Sequence, residues 1–219
     1  GLRSLFVGFE TLDPASLRSV HKNQNLHRDY NEAIRRLHGL GVMVNGSFVF
    51  GMDGDDESVF RRTTDWAVEQ GIETATFHVL TPYPGTPLFE RLAAEGRILT
   101  RDWQRYDTRH TVFRPKRMDP RALEDGYWGA YRDFYRWGSI FRSVMTKPTL
   151  RGRLRHAAYT GGWKKLEPLW KIVVRSGAVP RMLPLLESIL AGFGRSASRS
   201  ASPPRDPPAA PRRTARRTM

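Results

Sequence analysis

The stretch that decides the fold is Leu80-Thr81-Pro82-Tyr83-Pro84-Gly85-Thr86-Pro87-Leu88-Phe89, which joins an apolar segment to a helix start through a Pro-Gly turn. Residues 72–80 are mostly apolar and predict a strand. Thr86 followed by Pro87 is typical of the cap and first turn of a helix, which we expect to run over residues 88–94. A strand, a tight turn and a helix in this order indicate one βα unit.

Two similar units precede this one. Residues 5–9 form a short apolar segment that ends at Glu10, and residues 29–40 have the spacing of a helix. Residues 42–50 are a nearly continuous apolar run, typical of a parallel strand buried on both faces, and residues 58–70 predict the next helix. Alternating strands and helices with short connections predict an α/β fold, with a parallel sheet or barrel built from three βα units.

The pattern changes to helices in the second half of the chain. Met118-Asp119-Pro120 predicts a helix start, and an apolar face then recurs at helical spacing to about residue 145. That face comprises Leu123, Tyr127, Tyr131, Phe134, Gly138 and Phe141. Further helices are predicted at residues 150–159, 164–175 and 182–193, and residues 111–113 could add one more strand.

Composition divides the chain into three parts. Residues 1–117 hold the βα units and residues 118–194 form a helical region. Residues 195–219 contain seven Arg and one Asp among Ser, Pro, Ala and Thr, so we expect a disordered tail. The tail supplies six of the 14 net positive charges. A basic chain favours anionic partners, although the tail has no aromatic residues to stack on nucleic acid, which makes nucleic acid a disfavoured partner.

Several site types are excluded by residue counts and spacing. The chain has no cysteine, which excludes disulfides and thiolate metal sites within it. Its six histidines form no HxH or HxxxH pair, so we expect no metal site. No apolar run reaches the roughly 20 residues that cross a bilayer, and there is no signal peptide, so we predict a cytoplasmic location.

The carboxyl ends of the predicted strands are the places to look for a ligand site, since parallel α/β folds bind ligands there. Those positions are Glu10, the loop after Phe50 and residues 81–86. Glu10 could accept hydrogen bonds from a ribose diol or an ammonium group, or could be a capping carboxylate. The acidic run at residues 53–57 follows a strand and not a helix, which excludes an EF-hand, and we expect these acids in the first turn of a helix.

Three segments together resemble a known family. Phe6-Val7-Gly8-Phe9-Glu10-Thr11, Gly46-Ser47-Phe48-Val49-Phe50-Gly51 and the phrase at residues 80–88 resemble the fourth, fifth and sixth strand regions of cobalamin-binding radical S-adenosylmethionine proteins. The resemblance covers residues 1–97, and residues 158–170 are similar to the helical C-terminal extension of one subgroup. It implies that the βα units are the last three of a partial (βα)6 barrel.

The resemblance also implies a site for S-adenosylmethionine. In the family, the residue at the end of the fourth strand often contacts the ribose of this cofactor, a role that falls on Glu10. The polar position of the fifth strand falls on Ser47. The backbone that faces the adenine falls near Val49 and the run Leu80, Thr81 and Pro82. A 4Fe–4S cluster and cobalamin are implied only for an intact protein.

The family's cluster-binding loop CxxxCxxC has no counterpart in this sequence. Because the cluster needs three thiolates, we expect the chain to be a fragment of a radical S-adenosylmethionine enzyme that is inactive alone and pairs with a missing N-terminal half. The intact protein would catalyse methyl transfer, or a rearrangement at an unactivated carbon, on a small-molecule substrate that the sequence does not identify. The alternative is a non-catalytic binding protein, whose basic helices at 142–175 contact an anionic membrane surface weakly or bind nucleic acid.

Overall fold

The computed structural model describes residues 2–13 and 29–175, with side chains as far as residue 162. The described elements run in chain order and are β1 (Ser4–Glu10), α1 (Tyr30–Gly39), β2 (Met43–Phe50), α2 (Ser58–Glu69), β3 (Thr74–Val79), α3 (Pro87–Ala94), α4 (Pro120–Phe134), α5 (Trp137–Met145) and α6 (Leu150–Arg175), with a single 3₁₀ turn at Trp103–Arg105. Residues 1–167 form one compact unit, which holds the sheet, and residues 168–219 form a second, of which only the end of α6 is described. The predicted α/β class and its three βα units are confirmed.

The sheet is parallel, with three strands in the order β1-β2-β3. Side chains alternate between its two faces. One face packs against helices and holds a row of stacked phenylalanine rings, with centroids 5.4 Å apart for Phe9 and Phe48, 5.7 Å for Phe48 and Phe77, and 5.5 Å for Phe77 and Phe50. All four rings are about 1% exposed, so this row is the centre of the core.

Capping residues set the helix starts where the sequence predicts them. The Asp29 carboxylate accepts a hydrogen bond from the Glu32 N–H at 3.0 Å, and the Thr86 hydroxyl accepts one from the Phe89 N–H at 3.3 Å. Asp119 does the same for the N–H of Arg121, with Pro120 in the first turn. Side-chain caps of this kind satisfy backbone donors that a helix leaves without partners.

The outer edge of β3 is covered by side chains and not by a strand. The Tyr135 hydroxyl accepts from the Ala75 N–H at 3.2 Å and donates to the Ala75 carbonyl at 3.0 Å. The Tyr131 hydroxyl makes the same pair of bonds with Phe77, at 3.1 and 3.4 Å. Further along, the Val79 N–H donates to the carbonyl of Thr108 at 2.8 Å. The edge of β3 is therefore hydrogen-bonded along its length.

The outer edge of β1 differs from that of β3. Within the described part of the chain, β1 pairs with β2 on one side and with no strand on the other. Phe6 and Leu2 are each 63% exposed beside it. An apolar strand edge with large exposed side chains is a surface on which another strand can pair.

The helical region corrects two predictions. The single helix expected to run to residue 145 is broken, because Arg136 is extended with ψ 148° between α4 and α5. The break rotates the following residues, so Ile140 is buried while Phe141, predicted on the apolar face, is 66% exposed. Conversely, the two basic helices expected at 150–159 and 164–175 are one helix, α6.

The remaining predictions for the second half concern one strand, one helix and the tail. The strand expected at residues 111–113 is a single antiparallel bridge between Phe113 and Ile98. The helix predicted at 182–193 and the tail at 195–219 lie outside the described residues. Among the helices that are described, none is both long and apolar enough to cross a membrane.

Candidate functional site

The face of the sheet opposite the phenylalanine row carries polar side chains. By strand alternation and register it presents Phe6 and Gly8 of β1, Asn45, Ser47 and Val49 of β2, and Thr76 and His78 of β3, so it is polar apart from Phe6 and Val49, and we term it the open face. Most of these residues are only partly buried, whereas their neighbours on the phenylalanine side are buried. Polar residues at the carboxyl half of parallel strands form the usual ligand-binding surface of such folds.

Glu10 is turned onto the open face by an irregularity in β1. The register shifts between Gly8, which pairs with Ser47, and Glu10, which pairs with Phe48. Glu10 has a φ of 64°, a strained value for a residue with a side chain. A Cβ atom on Gly8 would lie 2.9 Å from the Glu10 Oε1, so glycine at position 8 leaves the space into which the carboxylate folds. Strand bulges redirect side chains in this way.

Ser47 and Val49 lie in the middle of the open face. Ser47 stands between Gly8 and Thr76 in the register and is 8% exposed. Val49 pairs with His78 and is partly exposed. The two residues form the floor between the ends of β1 and β3.

The run from Leu80 to Pro82 continues β3 at its carboxyl end. The Leu80 N–H donates to the Phe50 carbonyl at 2.8 Å, which extends the pairing with β2. The Thr81 hydroxyl donates to the Val79 carbonyl at 2.9 Å, and Pro82 is buried. The structure therefore brings Glu10, Ser47 and Val49 to one face and puts the run 80–82 at the strand end beside it.

His78 belongs to this surface and was missed as a candidate from the sequence. Its Nδ1 lies 3.3 Å from the Thr108 hydroxyl. Burial lowers the pKa of His78, and the negative charge of Glu10 acts in the opposite direction. Glu10 and Thr108, with φ of 65°, are the non-glycine residues with positive φ in the described ranges. The signal that could have identified His78 is strand alternation. His78 is two residues after Thr76, so both lie on the same face of the sheet, and Thr76 pairs with Ser47.

The acidic loop after β2 has a structural role, and its predicted place is wrong. The acids precede α2, whose first turn contains none. Asp55 accepts hydrogen bonds from the Gly51 and Met52 N–H groups, at 3.0 and 2.9 Å, and burial raises its pKa to about 6. Asp53 accepts bonds from Arg91 and Arg97, at 2.7 and 2.9 Å. Burial would raise the pKa of Asp53, but these bonds outweigh it and bring the value to about 2.

A buried ionic cluster lies at the opposite, amino-terminal end of β3. Glu73 is 1% exposed and its carboxylate lies 2.7 Å from the Lys147 Nζ and 3.2 Å from the His38 Nε2. Its other partners are the Val44 N–H at 2.8 Å and His156 at 3.5 Å. Burial would raise the pKa of Glu73, but the neighbouring histidines and lysine hold it well below its usual range. His38 lies in α1, His156 lies in α6 and Lys147 lies between α5 and α6, so the cluster holds these helices to the sheet. Ligands of parallel folds bind at the other end of the strands, which favours this structural role.

The described residues offer no ligands for a metal centre. No group of three or more His, Cys, Asp or Glu side chains in ranges 2–13 and 29–175 could hold an ion. The chain also lacks the thiolates of a 4Fe–4S cluster, so the cluster does not fit this chain.

Comparison with known proteins gives the family. A family described as a domain of unknown function, DUF4070, matches residues 86–182. The chain is 34% identical over 148 residues to bacteriochlorophyllide d C-12(1)-methyltransferase of Chlorobaculum tepidum, covering 68% of this chain and 32% of that protein. It is 31% identical over 99 residues to hopanoid C-2 methylase of Rhodopseudomonas palustris, covering 45% and 19%.

A third relative is the anaerobic magnesium-protoporphyrin IX monomethyl ester cyclase of Cereibacter sphaeroides, 26% identical over 141 residues, which cover 64% of this chain and 22% of that protein. The chain spans about a third or less of the length of the curated relatives it matches. The chain corresponds to the C-terminal half of a radical S-adenosylmethionine protein of the cobalamin-binding type.

Proposed function

We propose that this chain forms the adenosyl-binding half of a radical S-adenosylmethionine methyltransferase, and that its sheet is the last three strands of a partial (βα)6 barrel. The observation that carries the proposal is the open face, where Glu10, Ser47 and His78 lie in the carboxyl halves of three neighbouring parallel strands. A barrel closes around such a face, and its ligands bind at that end of the strands.

The two edges of the sheet support the barrel proposal. The β3 edge is saturated by tyrosine hydroxyls and by the Thr108 carbonyl, so it is suited to be the terminal strand of a partial barrel. β1 pairs with no described strand on its outer side, and Phe6 on its open face is 63% exposed, a ring that the interior of a closed barrel would bury. The missing units would therefore be added beside β1, and they are the units that would carry the cysteines.

The residues on the open face suit an adenosyl ligand. Glu10 and Ser47 supply a carboxylate and a hydroxyl for a ribose diol, and Val49 with residues 80–82 supplies apolar surface and strand-end backbone for an adenine. In enzymes of this kind, S-adenosylmethionine bound at a reduced 4Fe–4S cluster supplies a 5′-deoxyadenosyl radical. Without a thiolate of its own, this chain would hold the adenosine portion only and would be inactive alone.

Methyl transfer to carbon is the favoured reaction, with rearrangement as the second possibility. Two of the relatives are named as a methyltransferase and a methylase, with a carbon position in the name, and one is named as a cyclase. Cobalamin would act as methyl carrier in an intact protein, held by residues outside this chain.

Nuclear magnetic resonance of the full chain tests the adenosyl site. Titration with S-adenosylhomocysteine should shift the amide signals of Ser47, Val49 and Thr81. Glu10→Gln should weaken binding about tenfold, since a hydrogen bond to a charged group contributes about 1.5 kcal/mol or more. Glu69→Gln is the matched control, because Glu69 is an exposed carboxylate at the end of α2.

Two outcomes would contradict the proposal. Signal shifts confined to α4 and α6 would put the ligand elsewhere. No binding of the adenosyl ligand, together with binding to vesicles of anionic but not neutral lipid, would favour the alternative of a non-catalytic binding protein. An in-frame CxxxCxxC in the DNA upstream of Gly1 would support the enzyme.

A further inference from the structure

His78 is the one imidazole that the described chain places on the open face, and it stands across β2 from Glu10. β1 and β3 are two strand spacings apart, about 9 to 10 Å between their backbones. The carboxylate of Glu10 lies over Gly8, and its charge is close enough to affect the protonation of His78. A ligand that lies over Ser47 and Val49 therefore has the carboxylate on one side and the imidazole on the other.

The ring of His78 is fixed through one nitrogen. Its Nδ1 pairs with the Thr108 hydroxyl at 3.3 Å, and the Thr108 carbonyl accepts the N–H of Val79, the residue next to His78. Thr108 adopts a left-handed backbone, with φ of 65°, to make both contacts. Such conformations are unfavourable for residues with a side chain, and they concentrate where a site must be held in place.

The other ring nitrogen, Nε2, makes no hydrogen bond to the described residues. His78 as a whole is only partly buried. The His78 ring is thus held at one end and open at the other. A ring nitrogen of this kind is suited to contact a ligand, because its orientation is set before the ligand arrives.

We propose that His78 is a second ligand-contacting residue of the site, whose Nε2 hydrogen-bonds a hydroxyl or ring nitrogen of the adenosyl ligand across from Glu10. This assignment rests on the proposed adenosyl site and adds a residue to it. A hydroxyl can donate or accept, so it fits either tautomer of the imidazole. His78 is a binding residue in this proposal and takes part in no bond-breaking step.

The charge of His78 then influences which adenosyl ligand binds. S-adenosylmethionine carries a positive sulfonium, and a protonated His78 beside it would repel that charge, whereas S-adenosylhomocysteine has a neutral thioether. Burial favours the neutral imidazole, and Glu10 is the charged group that opposes this from β1. The loop that holds Thr108 also carries Asp107, Arg109 and His110, which are paired among themselves at 3.0 to 3.6 Å. Because His110 lies on this loop and can also change its charge with pH, the experiment needs a variant of His110 as a control.

Binding measurements on three versions of the full chain test the proposal. His78→Gln should weaken S-adenosylhomocysteine binding about three- to tenfold at neutral pH, as expected for one hydrogen bond. His110→Gln, the matched control on the adjacent loop, should leave it unchanged. Because burial lowers the pKa of His78, the ratio of sulfonium to thioether affinity should fall in the wild type only as the pH drops below about 6.5, the ordinary pKa of histidine, and should be constant for His78→Gln.

A measurement on the unaltered chain covers the case in which His78→Gln fails to fold. The ring ¹⁵N signals of His78 should move when S-adenosylhomocysteine is added, with Nε2 moving more than Nδ1. Binding by His78→Gln at wild-type affinity while Glu10→Gln loses it would overturn this assignment and leave the adenosyl site standing. Absence of adenosyl binding by the wild type would instead overturn the proposed function, and with it the role of His78.

Discussion

The buried Lys147 allows a demanding test of what holds the helical region to the sheet. Its ammonium group lies 2.7 Å from Glu73 Oε1, 2.7 Å from the Gly71 carbonyl and 2.9 Å from the His38 Nε2, and the residue is 6% exposed. Lys147→Met keeps an unbranched side chain of nearly the same length, one atom shorter, and removes the charge. Glu73 then remains buried without its full positive partner, and the Gly71 carbonyl loses its donor.

The expected loss is about 3 to 5 kcal/mol in the free energy of unfolding, because breaking one half of a buried ion pair leaves an uncompensated charge. The Val44 N–H at 2.8 Å and the two histidines still contact the carboxylate, which favours the lower end of that range. With a denaturant slope of about 2 kcal/mol per M, the urea midpoint should fall by about 1.5 to 2.5 M.

Pulse proteolysis in urea at submicromolar protein measures this midpoint and limits self-association. Arg35→Met is the matched control, because Arg35 pairs with Glu32 on the exposed surface of α1 with its side chain 70% exposed, and it should leave the midpoint unchanged. The double variant Glu73→Gln/Lys147→Met should recover part of the loss, since no charge is then left unpaired. A shift for Lys147→Met no larger than that of Arg35→Met would refute the reasoning.

Three further predictions follow from other contacts. Tyr135→Phe should destabilise the chain by about 1 to 2 kcal/mol and accelerate amide hydrogen exchange at Ala75, because the bonds to that residue are lost. Asp55 binds its proton more tightly when folded, so its contribution to stability should grow as pH falls from about 6 to 4, and Asp55→Asn should abolish that gain in acid-dependent urea melts. Phe6→Lys should reduce self-association in light scattering without shifting the urea midpoint.

The elements that local chemistry defines could be predicted from the sequence. The apolar run at residues 42–50 predicts β2, and the cap-and-proline pairs at Thr86 and Asp119 predict two helix starts. The break after α4 could not be predicted in the same way, because the aromatic spacing continues through it. Only the structure shows that Tyr135 reaches sideways to the edge of β3.

Most of the features that could not be predicted from the sequence depend on polar contacts between residues far apart in the chain. Glu73 meets partners that are 35, 74 and 83 residues away, at His38, Lys147 and His156, and no periodic pattern encodes such pairs. The rule that parallel α/β folds bind ligands at the carboxyl ends of their strands singles out Glu10 but gives no reason for the turn of Glu10 onto the open face. That turn depends on a bulge and on the missing side chain of Gly8, which become visible only with the register.

The tyrosine hydroxyls along β3 also limit how copies of this chain can aggregate. Growth of a β-filament requires every added unit to have one edge that accepts it and a second edge that receives the next. Tyr131 and Tyr135 saturate one of these edges within the molecule, so the three strands that the structure describes have a single edge left for pairing. Two copies could join through β1, but that pair would have no free edge on either side. Edge-to-edge association through the described sheet therefore terminates at a dimer and does not extend into fibres.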